Sequence, residues 1–437
     1  MKQDVSYKGE FVSDDFWHVN TRKIVLMLKQ KKIGYKDIVI CKSNSHIGVY
    51  IHWLACVEIG FIPIFVSSEF SIDSIKLLNN NIGAKVVLES VGTDHYVYLI
   101  SDTCSKSPFL NNIKENSIIH LTSATTGNPK LVVRTKEQID SEITRYSKYL
   151  NIDENDSILP IVPIYTSFGF ISGMLLSMKV NAKLILPDII LPRNIIQLSN
   201  LNKATVMLGV SYFYRKMLAI SSKYTLNNEL RYVISSGGPM EEGLQKDFKD
   251  RFGIKLLQQY GSTETGSLCI GCSEDSYRSV GKPIPGVKFK IINDKDDKPW
   301  VYVSSPTTIG AYMTKDGIVE LDKTLYKIGD LGRIKENGEV ELLGRSDDIL
   351  VVDGKKVDKK MVASVIKKIN CIDKVNIFLT KNNDTTELTC EYCSDKKVTK
   401  ETFVNHCKMV LANYQIPKKF LKVNEMKNVG RSSWKTE

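Results

Sequence analysis

The sequence predicts an α/β protein: a large N-terminal domain of parallel and mixed sheets with flanking helices and a β subdomain, then a small α+β C-terminal domain. Three observations predict it. The first third alternates short apolar runs with amphipathic stretches, the rhythm of strand–helix–strand units in a parallel sheet. From about Gly281 the pattern changes to short strands and turns, and after Gly344-Arg345 a fresh α+β pattern begins. At 437 residues the chain also exceeds the roughly 250–300 residues at which one core stops growing.

Each element has its own signal. Trp17–Lys31 carries apolar residues at helical spacing, and Asp37–Cys41 is a short apolar run that reads as a buried strand. Gly48–Ile59 is again helical, Phe61–Val66 a strand closed by Ser67-Ser68, Ser71–Asn80 a helix and Ala84–Leu88 a third strand. Ile118–Leu121, Lys183–Leu186, Thr205–Leu208 and Leu230–Ser236 continue the strands. The amphipathic helix Glu241–Phe252 and the strand Ile254–Gln259 follow. Val287–Ile292, Val301–Ser304 and Val340–Leu343 belong to the β subdomain. Beyond it come the strand Ile349–Val352, a basic helix Val357–Ile369, strands Lys374–Leu379 and Glu387–Tyr392, and a helix Thr399–Asn413 stopped before Ile416-Pro417. The domain boundary falls at Ser346–Asp348, giving domains 1–346 and 347–437.

Composition narrows the function classes. The chain is 42% hydrophobic and 25% charged, ordinary for a globular protein. Its net charge of +11 is spread along the chain rather than gathered in a tail. That bias suits phosphate-bearing or acidic partners, and no nucleic-acid motif accompanies it. No apolar run approaches the roughly 18 residues of a membrane span, and the N-terminus lacks an apolar signal segment, so a cytoplasmic protein is expected. Cysteines recur at Cys-x-x-Cys spacing in Cys269/Cys272 and Cys390/Cys393. A zinc site would need the pairs about 15–20 residues apart. Half-buried structural thiols in strands are the better reading.

The segment Thr122-Ser-Ala-Thr-Thr-Gly-Asn-Pro-Lys130 follows a strand and concentrates hydroxyl donors. Thr122, Ser123, Thr125 and Thr126 offer O–H and backbone N–H groups without bulk, as a polyphosphate requires. Gly127 permits close backbone approach, Pro129 stiffens the exit and Lys130 supplies a point charge. Composition alone leaves open a solvated Ser/Thr loop. Walker A spacing is absent.

This loop resembles the phosphate loop of the adenylate-forming superfamily of acyl- and aryl-CoA synthetases and stand-alone adenylation domains. That family writes it Thr-Ser-Gly-Thr-Thr-Gly-x-Pro-Lys-Gly; this chain departs at Ala124 and Leu131. Further segments match in the family's order. Ser235-Ser-Gly-Gly-Pro-Met240, with Gly237 and Gly238, resembles the segment that packs on adenine. In Tyr260-Gly-Ser-Thr-Glu264 the resemblance implies that Tyr260 stacks on adenine, Thr263 meets the phosphate and Glu264 holds Mg2+. Tyr326-Lys-Ile-Gly-Asp330 implies that Asp330 grips the ribose hydroxyls. Gly344-Arg-Ser-Asp-Asp348 implies that Arg345 reaches the nucleotide and Asp347 is the hinge of a mobile C-terminal domain.

The resemblance also implies the reaction. ATP and Mg2+ activate a carboxylic acid as acyl-AMP, and a pantetheine thiol, of coenzyme A or an acidic acyl- or peptidyl-carrier protein, then takes the acyl group. Val352-Asp-Gly-Lys-Lys356 would face the site during thioester formation. The family's adenylation lysine lies in the tail, where this chain reads Glu425-Met-Lys-Asn-Val-Gly-Arg-Ser-Ser-Trp-Lys435. Lys435 and Arg431 are the leading candidates, with Lys427 third. Two alternatives stay open: a tail in which none is catalytic, leaving a nucleotide-binding protein without turnover, and an enzyme that gives its adenylate to a non-thiol acceptor.

Leu159-Pro-Ile-Val-Pro-Ile-Tyr-Thr-Ser-Phe-Gly169 lies where the family builds a wall of the acid pocket. Tyr165, Phe168, Gly169 and Ser211 are the pocket candidates. The Asp that pairs a substrate ammonium is absent, and Ile164 stands where dihydroxybenzoate-activating members use Asn. An unpaired buried ammonium would be penalised by several kcal/mol. An aromatic or apolar aliphatic acid is therefore expected.

Overall fold

The computed structural model describes residues 3–80, 82–100, 113–122, 130–272, 276–295, 297–305, 309–314, 316–345, 349–382, 385–396, 398–423 and 434–435. The chain divides into two compact units: Met1–Ser67 with Ile82–Leu121 and Leu131–Gly344, and Ser68–Asn81 with Thr122–Lys130 and Arg345–Glu437. The division expected from sequence falls among residues 346–348, outside the described residues.

The first unit is built on two large sheets. In one, the strands Leu256–Ser262, Tyr232–Ser235, Val206–Gly209, Ser157–Pro160, Lys183–Leu186 and Val5–Tyr7 lie side by side and parallel. Their residues alternate between two cores, as a strand covered on both faces must. Ile158, Leu184 and Val206 join one core, while Leu159, Ile185 and Met207 join another with the aromatic residues Phe213, Tyr214 and Phe248. The second sheet pairs Ile62–Ser67, Ile38–Ser43 and Val86–Val91 in parallel, with Ile118–Thr122 and Lys130–Arg134 beyond Ile62–Ser67.

The helices form where capping and stripe agree. Asp14–Gln30 is N-capped by Ser13, whose side chain accepts from the Phe16 amide, and buries Trp17, Asn20, Thr21, Ile24, Val25 and Leu28 along one face. His46–Ile59 ends at Gly60, whose φ of 79° suits a residue without Cβ. Residues from both sheets and both helices share a single core; Asp14–Gln30 turns one face to it, whereas His46–Ile59 is buried on nearly every side of its first two turns.

The β subdomain is an antiparallel sheet in the order Lys288–Asn293, Pro299–Ser304, Tyr326–Ile334 and Val340–Arg345. In the second unit, Ile349–Val352 pairs antiparallel with Lys355–Asp358. Ile372–Asn382 and Thr385–Ser394 form a long hairpin, edged by Lys419–Lys422 and Trp434–Lys435.

Several elements differ from the sequence reading, among them the helix expected over Glu241–Phe252, which starts at Leu244 after Gly243. The helix expected over Val357–Ile369 starts at Lys359 and ends at Ile366, because Lys355–Asp358 is spent on the hairpin. Thr399 caps a helix Lys400–Lys408 that stops short of Asn413, where a separate 3₁₀ turn begins. An antiparallel strand Asp94–Leu99 follows Val86–Val91 and was not anticipated.

Candidate active site

The expected residues of the first unit converge at the carboxyl ends of the parallel strands, the edge where open α/β sheets bind ligands. Ser157–Pro160 leads to Tyr165–Gly169, Val206–Gly209 to Ser211, Tyr232–Ser235 to Gly237 and Gly238, and Leu256–Ser262 to Thr263 and Glu264. Hydrogen bonds tie these strand ends together. Ser211 Oγ lies 3.0 Å from Ser235 Oγ and donates to the Pro239 carbonyl at 3.0 Å. Gln258 Nε2 donates to the Gly238 carbonyl at 3.3 Å, and Ser167 Oγ lies 3.2 Å from Thr263 Oγ1. Gly237 has φ 83° at the turn after its strand. Gly169 opens a wide helical segment Phe168–Leu175, where a Cβ would fall 2.6 Å from the Pro163 carbonyl oxygen.

Tyr260 and Asp330 meet directly. The Tyr260 hydroxyl donates to Asp330 Oδ2 at 2.5 Å, and both residues are buried. The hydroxyl ties the Asp330 carboxylate to Tyr260, setting a hydrogen-bond acceptor beside an aromatic ring. The Tyr260 ring also lies 6.3 Å from that of Phe289.

Glu264 is half-buried, and Tyr312 Oη donates to its Oε1 at 2.9 Å. Tyr312 Oη also lies 3.1 Å from Tyr326 Oη. Burial, then the Glu264 charge, raises the Tyr312 phenol far above its ordinary range, so it stays a donor. Among the described residues no group of three His, Cys, Asp or Glu could hold a metal. One oxygen-donor carboxylate is what Mg2+ uses when phosphates complete its shell, so Glu264 fits that ion.

Tyr165 and Phe168 are half-buried and packed against the core, Ser211 is buried, and Ile164 is 1% exposed. No Asp or Glu lies between Ile161 and Phe170. Thr122 ends one strand and Lys130 begins the next in the same sheet order. Ser123, Thr125, Thr126, Gly127, Asp347, Lys427 and Arg431 lie outside the described residues, and of Arg345 only the strand backbone is described. Lys435 sits in the short strand Trp434–Lys435, opposite Thr380.

Sequence reasoning missed Ser167, Tyr312 and the pair Arg134–Glu142. Arg134 did leave a trace, a charge ending the apolar run Leu131-Val-Val. Tyr312 left none, because its link to Glu264 depends on strands meeting in space.

The model of the AMP-binding enzyme family matches residues 20–313. The chain belongs to that family. Among curated relatives, a 3,4-dihydroxybenzoate–[aryl-carrier protein] ligase of Bacillus anthracis is 25% identical over 323 residues, 72% of this chain and 71% of the relative. A 2-succinylbenzoate–CoA ligase of Oceanobacillus iheyensis is 22% identical over 433 residues, 91% of this chain and 88% of the relative. Among solved structures, a double mutant of o-succinylbenzoate CoA synthetase from Bacillus subtilis, bound with a product analogue, superimposes with TM-score 0.84 at 18% identity. It covers 98% of this chain and 93% of its own. The α/β fold expected from sequence is thus the fold of adenylate-forming synthetases, and the enzyme class is acid–thiol ligase. Among the described residues no helix is long and apolar enough to cross a membrane.

Proposed function

We propose that this family member condenses a carboxylic acid with ATP to acyl-AMP and passes the acyl group to a pantetheine thiol. The observation that carries the reading is the convergence, at the strand ends, of the Tyr260–Asp330 pair and the Thr263–Glu264 turn. In the first step a carboxylate oxygen bonds to the α-phosphorus while the bond to pyrophosphate breaks. In the second a thiolate sulfur bonds to the acyl carbon and AMP leaves.

Tyr260 lies under adenine and Asp330 accepts from the ribose hydroxyls. Thr263 donates to phosphate, with Thr122, Ser123, Thr125, Thr126, Gly127 and Lys130 on the pyrophosphate side. Gly237 and Gly238 let backbone approach the base. Mg2+, held by Glu264, would neutralise charge on the phosphates. The protein's contribution is positioning and electrostatic stabilisation. Arg345 reaches the nucleotide, Asp347 is the hinge between residues 1–346 and 347–437, and Lys435, or Arg431, supplies the adenylation charge.

The acid we propose is aromatic or apolar aliphatic, lying along Tyr165, Phe168, Gly169 and Ser211. The buried Ile164 and the lack of any carboxylate along Ile161–Phe170 support that choice, since a buried ammonium would go unpaired. Coenzyme A and a carrier protein are both acceptors named among the relatives. Mass-spectrometric trapping of product from acid, ATP and Mg2+, with either coenzyme A or a pantetheinylated carrier, tests the proposal. An acyl thioester is expected with one of them. Acyl-AMP that never passes to either thiol would contradict the second step.

A further inference from the structure

We infer that the buried pair Arg134–Glu142 is a positioning device that sets where Thr263 and Glu264 stand; the inference rests on the adenylation reading above. Arg134 ends the strand Lys130–Arg134, and Glu142 lies in the next helix, Lys136–Leu150. Arg134 is 0% and Glu142 4% exposed. Both charges are out of water, so geometry and additional hydrogen bonds must justify them.

Beyond the bond within the pair, those bonds run to the segment that carries the candidate metal ligand. Arg134 Nη2 donates to Glu142 Oε2 at 2.8 Å, and Nη1 donates to the Thr263 carbonyl at 3.2 Å. Glu142 Oε1 accepts from the Ser267 amide at 2.8 Å and from Ser267 Oγ at 2.9 Å. The pair therefore grips the turn on both sides of Glu264. Between the two grips the Gly310 amide donates to the Glu264 carbonyl at 2.8 Å.

Two glycines mark how tightly the pair is seated. Gly266 has φ 67°, and a Cβ there would lie 2.3 Å from Glu142 Oε2. A Cβ on Gly310 would lie 2.8 Å from Arg134 Cδ. With the backbone from Thr263 to Ser267 held from below, the side chains of Thr263 and Glu264 are left to face Ser167 and Tyr312. A structural ion pair could sit anywhere in the core. This one spends its remaining hydrogen bonds on the catalytic turn.

The test compares Arg134→Met, Glu142→Gln, the conservative Arg134→Lys, and a double variant Arg134→Met/Glu142→Leu that removes both charges and refills the volume. The readouts are the thermal midpoint, the Mg2+ dependence of ATP binding followed with a fluorescent ATP analogue, and kcat and KM for acid in pyrophosphate exchange. The double variant is expected to fold, because apolar replacement of a buried pair is often neutral. Its kcat should fall by about 100-fold, the order that a ~1 Å misplacement costs. The Mg2+ requirement should rise and KM for acid stay near wild type, with Arg134→Lys intermediate. A folded double variant with wild-type kcat and Mg2+ dependence would overturn the inference and leave the adenylation reading standing. If the wild-type protein exchanged pyrophosphate with no acid, the adenylation reading would fail. The Mg2+ dependence of ATP binding would still decide the role of the pair, an unchanged value in the double variant counting against it.

Discussion

At the scale of residues, the Tyr260–Asp330 contact is the most exposed to test. A hydrogen bond to a charged group contributes about 1.5–3 kcal/mol. Tyr260→Phe keeps the ring and removes only the hydroxyl that donates to Asp330 Oδ2. Its KM for ATP should rise severalfold with KM for acid unchanged, as steady-state kinetics can check; equal rises in both would mean the contact is not specific to the nucleotide. The tail offers a second test. Lys435→Ala should abolish adenylation while thioester formation from a supplied acyl-AMP persists. If Arg431→Ala behaves that way instead, Arg431 carries the charge and the two roles exchange. Tyr260, Thr263, Glu264 and Asp330 were legible because they sit in contiguous runs of the sequence. Arg134, Glu142 and Tyr312 were not, because their links to the Thr263–Ser267 turn span 48 to 129 residues of chain. Nothing local to Tyr312 announces that its hydroxyl will reach Glu264.

At the scale of elements, apolar spacing located the first three helices and most parallel strands. Asp94–Leu99 escaped because its residues are half-exposed or exposed and break the apolar alternation. The hairpin Ile349–Asp358 was read partly as helix because apolar positions run on through Val357 into Met361 and Val362. Its turn carries Asp353 and Gly354 at φ 49° and 78°, a left-handed pair typical of tight hairpins. Gly266 shapes the turn that carries Thr263 and Glu264. Gly266→Ala would force a Cβ into a left-handed conformation and against Glu142, at roughly 1–3 kcal/mol for the backbone alone. The variant should show a lower thermal midpoint and a raised Mg2+ requirement in an ATP-binding titration. A normal Mg2+ titration with only the midpoint lowered would separate the turn from metal binding.

At the scale of the whole molecule, buried imidazoles set an expectation for stability in acid. His46, His52 and His120 are held down from 6.5 to about 4, 3 and 3, in each case chiefly by burial. The His52 ring is further opposed by His95, and that of His120 by Arg134. Below pH 6.5 the unfolded chain takes up protons that the folded chain refuses, so stability falls as pH falls toward about 4. Each imidazole contributes on the order of 1.4 kcal/mol per pH unit in that window. Thermal melts should be level above pH 7 and drop steeply between pH 6.5 and 4.5. A flat profile across that range would mean the imidazoles are solvated in the native state.

The whole fold gathers the strand-end site that we propose makes an acyl-adenylate. Exchange of labelled pyrophosphate into ATP, run with Mg2+ over a panel of free acids, measures that step without any acceptor thiol. Exchange with an aromatic or apolar aliphatic acid, and none with simple α-amino acids, is the expected result. ATP binding without exchange for any acid would contradict it.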